Sequence, residues 1–111
     1  MTTPLSSYQI MWMQVIFDIP VKTKPERKAA TTFRKTLLNL GFHMVQYSVY
    51  MKYVTNKKKQ AILIAKIKSH LPSKGSIYVL SITDKQYENI YAFIGKNKSP
   101  SPKNPEQLTL F

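Results

Sequence analysis

The most constraining feature of this chain is the stretch Ile10-Met11-Trp12-Met13-Gln14-Val15-Ile16-Phe17, apolar except at Gln14 and closed by Asp18-Ile19-Pro20. A near-continuous apolar run rich in β-branched and aromatic side chains reads as a buried central strand. Pro20 has no N–H to donate to a ladder, so the strand stops there and Asp18 stands at its C-terminal end. The run is too short to cross a bilayer, and polar side chains interrupt it. Met1 to Ser7 lacks the basic segment of a signal peptide. Together these features predict a cytoplasmic protein without a membrane role.

A helix is predicted over residues 25–40. Thr23 or Lys24 caps it, Pro25 and Glu26 suit its first turn, and Gly41 suits its exit. Ala29, Ala30, Phe33, Leu37, Leu38 and Leu40 fall at helical spacing. Phe42 to Val54 is β-type but long for one strand, so a reversal inside it would make a hairpin; no Gly, Pro or Asn marks the place. Asn56 caps a second helix whose apolar stripe is Ile62, Leu63, Ala65, Ile67 and Leu71, with Pro72 as its stop. Ser76 to Thr83 reads as a strand, and Thr83 caps a further short helix. Ile90 to Ile94 either extends that helix or forms a last strand. Residues 1–95 then make one domain. Residues 96–111 are a Pro- and Lys-containing linker ending in the apolar tag Leu108-Thr109-Leu110-Phe111.

Strand, helix, hairpin, helix and strand in this order predict an α+β, ferredoxin-like β-α-β-β-α-β domain. Both helices would cover one sheet face. The strands are apolar on both faces, which predicts that a second copy covers the other.

Charge narrows the function. The chain of 111 residues has 17 Lys plus Arg against 5 Asp plus Glu, a formal net charge of +12, and no cysteine. Thiol chemistry, disulfides and Cys-based zinc sites are excluded, and few carboxylates remain for acid–base or metal work. A polyanionic partner, nucleic acid first, is expected. Lys22, Lys24, Arg27, Lys28 and Lys35 follow Asp18 closely and are the candidate phosphate contacts. Lys57 to Lys59 with Lys66 and Lys68 form a second basic set. A solvated face is its simpler reading, and phosphate contact the alternative. His43 and His70 read as surface histidines. Tyr47, Tyr50, Tyr53, Tyr78, Trp12 and Phe17 read as core or dimer packing rather than base-stacking groups.

Four segments in order carry a resemblance: Phe17-Asp18-Ile19-Pro20; Arg27-Lys28; Gly41-Phe42 with Val45-Gln46-Tyr47-Ser48-Val49-Tyr50; and Gly75-Ser76-Ile77-Tyr78-Val79 with Thr83-Asp84-Lys85-Gln86-Tyr87. Over roughly residues 9–95 the chain resembles the small CRISPR-associated endonuclease family, the integrase-partner subunit of spacer acquisition, and looks nearest to type II systems. The resemblance implies a homodimer in which a C-terminal strand of each copy joins its partner's sheet, and a hairpin turn near Gln46 to Ser48. It implies bridging of the integrase and binding of short double-stranded DNA. It also implies Mg²⁺-dependent endonuclease activity, with Asp18 as the metal-ligating and catalytic carboxylate. From the residues alone Asp18 either turns the chain before Pro20 or holds a cation. Many members carry an acidic residue where this chain has Met51, so no role of that carboxylate carries over. The competing expectation is a stand-alone metal-dependent ribonuclease or a toxin-type RNA-binding module.

Overall fold

The computed structural model describes residues 11–95; the linker and apolar tag expected at 96–111 lie outside the described residues. The elements are β1 (Met11–Asp18), α1 (Lys24–Asn39), β2 (His43–Gln46), β3 (Val49–Val54), α2 (Lys57–Lys68), β4 (Ser76–Thr83) and α3 (Asp84–Glu88). The strands form one sheet in the order β2-β3-β1-β4, every neighbouring pair antiparallel. This is the predicted ferredoxin-like arrangement, with the apolar run at its centre as β1.

Strand alternation divides β1 between two faces. Met13, Val15 and Phe17 point to the helix side and join Phe33, Leu37, Tyr50, Val54, Leu63 and Ile67 in the main core. Phe17 meets Phe33 edge-on at 5.2 Å between ring centroids. Each such fully buried side chain contributes on the order of 1.5–3 kcal/mol. On the opposite face Trp12 and Met51 are covered by Tyr87 of α3, and the Trp12 and Tyr87 rings stack at 4.2 Å.

The ends of α1 are closed by local chemistry. The Glu26 N–H donates to Thr23 Oγ1, and Glu26 Oε1 accepts from the Thr23 and Lys22 N–H groups, a complete capping box. At the other end the Phe42 N–H reaches the Leu37 carbonyl and the Gly41 N–H the Leu38 carbonyl. This reversal needs a left-handed residue, and Gly41 supplies it at φ 95°.

The hairpin turns at Tyr47-Ser48, where the resemblance places it. Ser48 takes φ 66°, a conformation its sequence does not advertise. A bulge between Met44 and Gln46 adjusts the register. The Phe17 N–H donates to the Ser48 carbonyl at 3.1 Å, so β1 itself anchors the turn.

Two expectations change. Of the apolar stripe expected on the second helix, only Leu63 and Ile67 are buried, while Ile62, Ala65 and Leu71 are exposed. The sheet reaches a narrow strip of α2, and Leu71 lies beyond the helix end. Ile90 to Ile94 forms neither a helical extension nor a strand. It runs irregularly along the sheet face away from α1 and α2. A strand needs a free edge beside it, and this segment crosses a face instead.

Candidate nucleic-acid interface and strand-end carboxylate

Asp18 is the last residue of β1 and pairs in register with Ser76 of β4. Alternation gives it the same phase as Trp12, Gln14 and Ile16, on the sheet face that the two long helices leave bare. Its carboxylate is exposed and engages no hydrogen bond or ion pair among the described residues. The β4 approach is tight: a Cβ on Gly75 would meet the Asp18 carbonyl oxygen at 2.5 Å, and Gly75 has φ 97°. Glycine is therefore what lets the chain pass against the backbone at the end of β1.

Beside Asp18 the face is apolar. Gln14, Ile16, Val49 and Met51 of the sheet, with Tyr91 and Phe93 of the irregular segment, line a hollow of about 710 Å³. Tyr78 is 66% exposed and Leu80 39% exposed on the outer strand. Met51 is packed against Trp12 and Tyr87, so this position serves packing here. Among the described residues no three His, Cys, Asp or Glu side chains come together as a metal cluster.

The candidate phosphate contacts separate into two kinds. Lys22 lies in the turn before α1, and Lys24, Lys28 and Lys35 are exposed. The 3.6-residue period puts the last three on one stripe of α1, with Lys35 about 16 Å along the axis from Lys24. Arg27 is different: its guanidinium Nη1 donates to the Val21 and Lys22 carbonyls at 3.2 and 3.1 Å. It ties down the turn that carries Lys22. Glu26, held below the usual carboxylate range chiefly by the Thr23 N–H bond and further by Lys22 N–H and the Lys74 charge, uses its acidity on the cap. Lys74 Nζ stands 3.7 Å from it.

Arg34 carries no signal in the sequence, and Tyr47, expected in core or dimer packing, is not part of its own chain's core. Arg34, half-buried on α1, donates to Thr31 Oγ1 at 3.3 Å. Its charge opposes the burial that pushes the Tyr50 phenol up. Tyr47 stands 83% exposed at the hairpin tip. Strand alternation does not extend through the turn that holds Tyr47, and nothing in the helical spacing singles out Arg34. His43 and His70 are both exposed, and His70 Nδ1 lies 2.8 Å from the Lys66 carbonyl. No helix among the described residues is long and apolar enough to cross a membrane.

A four-stranded antiparallel sheet in split β-α-β order, with two helices on one face and a lone carboxylate at the end of its central strand, defines a small ferredoxin-like α+β domain. The chain matches the family CRISPR associated protein Cas2 over residues 11–90 and belongs to it. It is 45% identical over 107 residues to the CRISPR-associated endoribonuclease Cas2 of Paracidovorax avenae, covering 96% of this chain and 99% of that one. The protein of the same name from Flavobacterium psychrophilum is 39% identical over 109 residues, 98% of this chain and 95% of the relative. A solved structure described as the crystal structure of cas2 superposes with a TM-score of 0.58 at 19% identity, covering 84% of this chain and 95% of that one. That likeness is one of fold.

Proposed function

We propose that this chain is the nucleic-acid-binding scaffold of a CRISPR adaptation complex: a homodimer that holds short double-stranded DNA and bridges the integrase, with an Asp18 from each copy available to Mg²⁺. The observation that carries it is the placing of one exposed carboxylate, unpaired among the described residues, at the margin of an apolar sheet face that the described residues leave largely bare. An exposed apolar face of this kind calls for cover, and a two-fold pair supplies it with identical surfaces. One carboxylate per chain is a poor donor set for a hard cation, whereas two brought together by the pair fit Mg²⁺, which keeps several waters. Bound there, the ion supplies neutralisation of phosphate charge and polarisation of a phosphoryl oxygen. The lysines of α1 hold the backbone of the nucleic acid, and the net charge of +12 per chain draws it in. The proposed place of action is the cytoplasm.

A second reading, hydrolysis of RNA at the same Asp18 pair, is favoured by the endoribonuclease name of the relatives. Asp18→Asn separates the two. It keeps size and removes the charge that Mg²⁺ needs. In the scaffold reading, dimerisation, duplex binding and spacer acquisition with the integrase persist in this variant. Acquisition abolished while dimer and complex stay intact would make the carboxylate essential. Mg²⁺-dependent cleavage of RNA by the wild-type protein alone, absent from the variant, would support the ribonuclease reading.

A further inference from the structure

The middle of α2 is apolar all round. Ala61, Ile62, Leu63, Ile64 and Ala65 follow one another, and only Leu63 of these is buried. Ile62 is 48% exposed and Ile64 42% exposed, on either side of the outward ridge formed by Ala61 and Ala65, and Leu71 just beyond the helix is 50% exposed. A helix apolar on every side is normally enclosed; here the sheet covers one strip. Both ends of the helix are basic, with Lys57, Lys58 and Lys59 before the apolar turns and Lys66 and Lys68 after them, and α2 carries no acidic residue. The three N-terminal lysines oppose the helix dipole, so local helix stability does not account for them.

We propose that the outer face of α2, centred on Ile62 and Ile64, is the surface that docks a protein partner presenting an apolar groove rimmed by carboxylates. Resting on the scaffold reading above, that partner is the integrase. Charge complementarity chooses among occupants. Nucleic acid would satisfy the lysines but would lay a hydrated phosphate backbone against Ile62 and Ile64. A second copy offers no carboxylate rim among its described residues: Glu26 is committed to the α1 cap and Asp84 to Trp12, and Asp18 and Glu88 stand apart from each other, one ending β1 and the other ending α3. A protein groove with an acidic margin satisfies both the apolar turns and the lysines at their ends. The surface lies on the helix side of the sheet, away from the bare face assigned to the dimer, so both contacts coexist.

The test uses the full chain and the integrase of the same locus, with binding followed by interferometry. The double variant Ile62→Gln/Ile64→Gln is expected to lose at least tenfold in affinity with its melting temperature and dimer unchanged. Lys66→Glu/Lys68→Glu is expected to weaken binding similarly and to reduce its salt dependence. If the glutamine pair lowers the melting temperature, Ile62→Ala/Ile64→Ala, with better helix formers, gives the same readout. Integrase affinity retained in the folded isoleucine variants overturns the proposal and leaves the scaffold reading standing. Affinity for anionic phospholipid vesicles or for a short DNA duplex lost in those variants, with integrase affinity unchanged, overturns it in favour of a lipid or nucleic-acid surface. A wild-type chain that does not bind the integrase overturns both.

Discussion

The Trp12 indole N–H donates to the Asp84 carboxylate at 3.1 Å across 72 residues of sequence. Trp12 is near the start of β1 and Asp84 opens α3, so this bond, with the Tyr87 ring stacked on the indole, seats the short helix on the bare side of the sheet. A helix of one or two turns does not persist alone in water. Its capping box, Thr83 with Gln86, shapes it, and Trp12 holds it in place.

Asp84→Ala leaves the indole N–H without its partner and frees α3. Loss of this partly buried hydrogen bond to a charged acceptor is expected to cost about 1.5 kcal/mol. Trp12 is the chain's one tryptophan, so intrinsic fluorescence reports the site directly. A red-shifted emission maximum and a lower denaturation midpoint are the expected outcomes, and an unshifted spectrum would place the seating of α3 elsewhere.

Burial, and secondarily the Asp84 charge, push the Tyr87 phenol up from 10.0 to about 12. A raised phenol favours the neutral form in the folded state. Its contribution is complete below the ordinary value of 10.0 and is lost as pH rises through about 12. Burial also raises Tyr50 and Tyr53, so tyrosinate absorbance should show a delayed titration whose step at about 12 belongs to Tyr87 and accompanies exposure of Trp12. Tyr87→Phe should remove that late step.

Lys24, Lys28 and Lys35 share one exposed stripe of α1, whereas Arg27 braces the preceding turn. Replacing the three lysines by Ala is expected to weaken duplex binding uniformly across sequences and to flatten the log–log salt slope by about 2.7, at about 0.9 per phosphate contact. Arg27→Ala should lower thermal stability as well as affinity, because the Val21 and Lys22 carbonyls lose their donor. An unchanged slope in the lysine variant would move the phosphate face to α2.

Gly75→Ala sets a methyl group 2.5 Å from the Asp18 carbonyl oxygen at a backbone φ of 97°. Left-handed strain and the backbone clash together are expected to cost about 2 kcal/mol or more. Denaturant unfolding measures the loss. The local readout is the Asp18–Ser76 end of the β1–β4 ladder, whose amides should exchange faster, with the far end of β1 unaffected.

Much of the fold was legible because its signals are local. The Ile10–Phe17 run with its Asp18-Ile19-Pro20 stop, the Thr23 and Asn56 caps and the Gly41 exit each act within a few residues. The hairpin is not legible from local rules: Ser48 adopts a left-handed conformation and its carbonyl accepts from the Phe17 N–H, a contact made by another strand. The α2 stripe was overread for a related reason. Helical period shows which residues share a face, but only the position of the sheet shows how wide a strip it covers, and Ile62, Ala65 and Leu71 fall outside it. At the candidate site, the residue types Asp18, Lys24, Lys28 and Lys35 were evident from charge and order, while the bracing role of Arg27 and the placement of Arg34 and Tyr47 were not.

Composition and short-range pattern are enough to define a basic, cysteine-free α+β chain with a central apolar strand ended by a carboxylate. Those properties reside in composition and in periods of two and 3.6 residues, which need no long-range information. Long-range packing sets which sheet face α1 and α2 cover, that Met51 packs against Trp12 and Tyr87, that Gly75 approaches the Asp18 carbonyl, and that Ile62 and Ile64 face outward. Each of these depends on strand order and register, which bring together residues far apart in the chain, and no local preference encodes that pairing.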